Sequence, residues 1–72
     1  MTILELISKL DRDTHIIVRY NYGDEILDFW SSDYFCEILI PQDRKIVECT
    51  DVESFYFEDG ILTIYVECIQ GI

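Results

Sequence analysis

Few side chains in this sequence are of the types that do chemistry, and their spacing limits what they can do. His15 is the one histidine, and no Ser-His-Asp or Cys-His arrangement can be nominated around it from spacing. At the head of an alternating segment it reads as a structural or solvated residue rather than a general base. Cys36, Cys49 and Cys68 lack the paired spacing of a zinc site, so they are expected as small buried hydrophobes. Asp11-Arg12-Asp13 begins like a calcium loop. However, His15 holds the next ligand position, and no glycine or terminal glutamate follows at the required distance. Gly23, Gly60 and Gly71 stand alone, which leaves no glycine-rich cradle for phosphate. The pattern predicts no catalysis, no metal and no cofactor.

What remains is an interleaving of acids with aromatics. Fifteen Asp and Glu face five Lys and Arg, for a formal net charge of −10. Such a field repels nucleic acid and anionic membranes and steers the protein toward basic surfaces. One stretch holds Asp24, Glu25, Asp28, Trp30 and Asp33; a second holds Asp51, Glu53, Tyr56, Glu58 and Asp59. Aromatic side chains anchor protein interfaces, and flanking carboxylates select a basic partner. Together with Tyr65, these are the candidate binding residues. The plainer reading is that aromatics fill the core while the acids keep a small protein soluble. It is the reading favoured for Phe29, Phe55 and Phe57, whereas Trp30, Tyr56 and Tyr65 are assigned to binding.

The elements that must position these residues follow from capping and periodicity. Thr2-Ile3-Leu4-Glu5 has the form of a capping box, and Ile3, Leu6, Ile7 and Leu10 then recur on one helical stripe. His15 to Tyr22 alternates as a strand, with Ile16, Val18, Tyr20 and Tyr22 on one face. Gly23-Asp24 fits a two-residue turn, which sets Tyr20 opposite Leu27, Val18 opposite Phe29 and Arg19 opposite Asp28. Asp59-Gly60 is the strongest hairpin signal. It joins strands over 52–57 and 61–69, with Phe57 opposite Leu62, Phe55 opposite Ile64, Tyr56 opposite Thr63 and Ser54 opposite Tyr65. Residues 34–40 fit either a short helix or a strand, and 46–49 is expected to be extended.

The sum is a single α+β domain over residues 1–72, an N-terminal helix packed on about four antiparallel strands with room for a short second helix. If the helix covers Val18, Phe29, Phe55 and Ile64, the opposite face carries Ile17, Ile26, Trp30, Tyr56 and Tyr65. A patch of that size predicts cover by the middle segment, a homodimer or another aromatic partner. An odd number of cysteines points to free thiols in a reducing compartment. The N-terminus lacks a basic export region and no run approaches membrane-spanning length, so a cytoplasmic location is expected.

The opening Thr2-Ile3-Leu4-Glu5-Leu6-Ile7, the following Leu10-Asp11-Arg12-Asp13-Thr14 and the strand at Ile16 resemble small proteins of bacteriophages and mobile elements. Val52-Glu53-Ser54 and Glu58-Asp59-Gly60-Ile61-Leu62 are similar to theirs too. Some small acidic members of that group are anti-CRISPR or other anti-defence inhibitors that block a nucleic-acid channel, in some cases by imitating DNA. The resemblance implies a basic partner, a nuclease or other nucleic-acid-binding protein, in the cytoplasm of the host cell. Two alternatives stay open. One is a homo-oligomeric assembly module using Trp30, Tyr56 and Tyr65; the other is an immunity protein against a basic toxin.

Overall fold

Thr2 opens the first helix with both halves of the predicted capping box. Its hydroxyl accepts the Glu5 N–H at 3.2 Å, and the Glu5 carboxylate accepts the Thr2 N–H at 2.9 Å. The computed structural model describes residues 1–72. Its elements run α1 (Ile3–Ile7), β1 (His15–Tyr20), β2 (Glu25–Trp30), α2 (Ser31–Phe35), α3 (Pro41–Cys49), β3 (Ser54–Glu58) and β4 (Ile61–Val66). The α+β class, the leading helix and a four-stranded sheet made from two hairpins all agree with the sequence reading.

The sheet order is β2-β1-β4-β3. Both hairpins are antiparallel, but β1 and β4 run parallel in the centre, so the sheet is mixed rather than antiparallel throughout. The cause lies in the middle segment. Parallel strands need a crossover of a dozen or more residues, and α2 with α3 supplies one. There Pro41 occupies the first turn of α3, where its missing N–H costs nothing. Glu37, at φ 60°, turns the chain between the two helices. Residues 46–49, expected to be extended, are the last turn of α3, and Ile46 and Val47 are buried by it.

The β3–β4 hairpin has the expected register at every pair. Asp59 and Gly60 both take positive φ (55° and 77°), as a two-residue turn matched to strand twist requires. The β1–β2 hairpin is displaced by two residues: Val18 faces Leu27 and Ile16 faces Phe29. Tyr20 N–H donates to the Asp24 carbonyl at 2.9 Å, which closes a three-residue loop over residues 21–23 with Gly23 as its positive-φ position. A bulge then shifts the register beside Arg19. It turns Ile26 toward the core, away from the face expected for it. Tyr22 lies in the loop and is exposed.

Thirteen buried side chains make one cluster. Ile3, Leu6 and Ile7 of α1, Tyr34 of α2, and Ile46 and Val47 of α3 cover Ile16, Val18, Leu27, Phe29, Leu62, Ile64 and Val66. The helices therefore all lie on one face of the sheet. None of them is long and apolar enough to cross a membrane.

Candidate protein-binding face at the edge of the sheet

The registers fix which side chains lie side by side on the helix-free face. One row crosses the sheet as Trp30, His15, Ile61 and Glu58; the next as Asp28, Ile17, Thr63 and Tyr56; the third as Glu25, Arg19, Tyr65 and Ser54. The two sequence clusters thus occupy opposite edges, roughly 14 Å apart at ordinary strand spacing. Trp30 does not join Tyr56 and Tyr65 in one patch. It stacks on His15, with ring centroids 5.1 Å apart, while Tyr56 and Tyr65 stack on each other at 6.1 Å. The neighbouring Tyr56 phenol, and then burial, raise the Tyr65 phenol above its ordinary value. The middle segment does not cover this face, because α2 and α3 lie on the other side.

At the β2 edge most carboxylates hold the protein itself together. Asp28 bonds the His15 ring, Glu25 lies 3.9 Å from the Arg19 guanidinium, and Asp33 accepts the Trp30 N–H at 2.9 Å to start α2. Asp13 does similar service beneath them, accepting the Ser32 N–H at 2.9 Å and the Ser31 hydroxyl at 3.2 Å. The Ser32 N–H holds the Asp13 carboxyl below its ordinary value. Asp24, at the loop, has no cation within ion-pair distance.

The β3 edge differs. Asp51 approaches the N-terminal ammonium at 3.9 Å. Glu53, Glu58, Asp59 and Glu67 make no ion pair, and between Ile46 and Ile72 there is no Lys, Arg or His at all. Asp51, Glu53 and Glu67 border a shallow groove of about 250 Å³ together with Cys68 and Gln70. Every residue of β3 is exposed. Phe55 and Phe57, expected in the core, share its face but lie beyond the reach of the helices, at 46% and 56% exposure. Alternation assigns a residue to a face; it does not say how far the covering layer extends. With Tyr56 between them at 46%, the strand presents aromatics on both faces.

The cysteines also depart from expectation, since Cys36, Cys49 and Cys68 are all free and exposed rather than buried. No three His, Cys, Asp or Glu side chains converge as metal ligands. A second groove of about 290 Å³ lies between α1 and α2, where Asp13 and Ser31 on its wall already bond each other. No protein-family model, curated protein or solved structure matches this chain.

Proposed function

We propose that this protein is a non-catalytic, inhibitor-type binding module that seats its β3–β4 edge on a basic, nucleic-acid-binding protein. The observation that carries the reading is the pairing of Glu53, Glu58, Asp59 and Glu67, none of them ion-paired, with exposed Phe55, Tyr56 and Phe57 in a segment that has no cation. Carboxylates without internal partners attract and orient a cationic surface, and the aromatics supply the area that retains it. Glu53 and Glu58 are about 17 Å apart along an extended strand, against one charge per ~1.7 Å of duplex axis. That spacing favours covering the partner's basic surface over imitating a phosphate ladder. The resemblance to phage and mobile-element proteins supports a host defence nuclease as the target.

The test is competition. The tagged protein is immobilised, exposed to bacterial lysate, and washed at low and then high salt, and a captured nucleic-acid-binding protein is purified. Wild-type protein should displace nucleic acid from that partner, and the triple variant E53K/E58K/D59K should fold normally but not displace it. Equal displacement by the variant overturns the reading, as does capture that ignores salt. A captured toxin in place of a defence nuclease would move the assignment to an immunity role on the same face.

A further inference from the structure

The two edges of this sheet are not equivalent, and the difference specifies how β3 can be engaged. The β2 edge carries a bulge, one of the devices by which sheets discourage further pairing. The β3 edge has an unbroken register from Ser54 to Glu58 and both faces open. In a two-residue hairpin the residues flanking the turn form a hydrogen-bonded pair, and such pairs then alternate along the ladder. Glu58, Tyr56 and Ser54 therefore direct their backbone groups to β4. The N–H and C=O groups of Phe55 and Phe57 point outward, four main-chain groups arranged to accept another strand.

We propose that the occupant of this edge is an extended segment of the basic partner, added to β3 as a fifth strand; this rests on the function proposed above. The side chains flanking the edge define its sequence. Positions beside Phe55 and Phe57 would be apolar. Positions beside Tyr56 and Glu58 would be Lys or Arg, with further cations at the ends near Glu53 and Asp59. An alternating apolar–basic strand meets both requirements. A second copy of this chain does not. Antiparallel self-pairing centred on Tyr56 sets Glu53 of each copy directly against Asp59 of the other, and like charges directly opposite destabilise a strand pair.

The experiment uses the full chain and a labelled ten-residue peptide alternating valine and lysine, with its ends blocked. Fluorescence anisotropy measures binding, and amide exchange followed by NMR measures protection at Phe55 and Phe57. The alternating peptide should bind, with salt-dependent affinity, and should slow exchange of those two amides. Methylating the peptide nitrogens that face β3 should weaken binding by about tenfold, since two main-chain hydrogen bonds are lost. The F57P variant removes one outward N–H together with the ring, without touching the β4 ladder, and should weaken binding further than F57A, which removes the ring alone. If F57P does not fold, the methylated peptide alone decides. Binding that ignores both changes but disappears in E53K/E58K/D59K overturns strand addition and leaves the basic-partner reading standing. No binding of any lysine peptide, with a natural partner equally indifferent to the triple variant, overturns both. Dimers of the free chain with Phe55 and Phe57 already protected would instead make a second copy the occupant, and overturn the proposal.

Discussion

The β1–β2 and β3–β4 hairpins have similar lengths and similar shares of acids and aromatics, yet the fold uses them in opposite ways. In the first, Asp28 and Glu25 each meet a cationic or imidazole partner within the molecule, Asp24 alone at the loop has none, and Phe29 is buried beneath the helices. In the second, Glu53, Glu58 and Asp59 make no ion pair, and Phe55 and Phe57 stand clear of the helical layer. Identical residue types therefore carry different meanings. A carboxylate bonded to its own chain braces the fold, and one without an internal partner is available to another molecule. The difference follows from topology, because the helices reach across β2, β1 and β4 and stop short of β3.

The largest test of this contrast compares facing residues on β4 and β3. Ile64→Ala, at a fully buried position, should cost about 2–5 kcal/mol in urea denaturation, with lost transfer energy and a cavity both contributing. Phe55→Ala, directly opposite it, should cost under about 1 kcal/mol. Equal losses would mean that the β3 aromatics belong to the core after all.

Next in size is the helix cap that anchors the covered face. Thr2→Ala removes the acceptor for the Glu5 N–H and should lower stability by about 1 kcal/mol. Glu5→Gln should cost less, because the amide oxygen can still accept the Thr2 N–H. Matched losses would mean that the carboxylate charge, and not the hydrogen-bonding geometry, carries the cap.

The third test turns on pH. The folded Asp13 carboxyl is held below its ordinary value of 3.8, so the stability it contributes is complete above that value and is lost as pH falls through the folded one. Asp13→Asn should therefore be less stable than wild type at pH 7, and the two denaturation midpoints should converge in acid. A gap that stays constant from pH 7 to the acid limit would assign the effect to packing at Ser31 and Ser32.

The smallest expected change in stability is at the free carboxylates. Glu58→Lys should leave the denaturation midpoint unchanged or slightly raised at low salt, since it relieves repulsion in a chain of net charge −10. A clear loss would show that Glu58 has a structural partner and would remove it from the binding face.

Much of this arrangement was legible in the sequence where short-range chemistry decides the outcome. Thr2 with Glu5 announced α1, and Asp59-Gly60 set every pair of the β3–β4 register. Gly23 was ambiguous because it serves equally in a two- or a three-residue loop, and a one-residue bulge after it completed the shift. The α3 helix escaped notice because Ile46 and Val47 are its only buried residues, too few to establish a helical period. Parallel pairing of β1 with β4 leaves no local mark, since it depends on where the crossover places the second hairpin. For the binding face, composition identified the acids and aromatics. It could not separate those that brace the β2 edge from those left free along β3, and it placed Phe55 and Phe57 in the core.

The central β1–β4 pairing also shapes how the chain reaches this structure. His15 meets Ile61 across roughly 45 residues of intervening chain, whereas each hairpin closes over a few. The hairpins can form early on local contacts, but the ladder that joins them must wait for the crossover helices to collapse. The rate-limiting event should thus be the docking of two preformed halves, and folding should be slower than for a helical domain of this size. Mutations in the β1–β4 seam should slow folding. The edge proposed to meet a partner would then take shape inside its own hairpin, before the two halves of the sheet have docked.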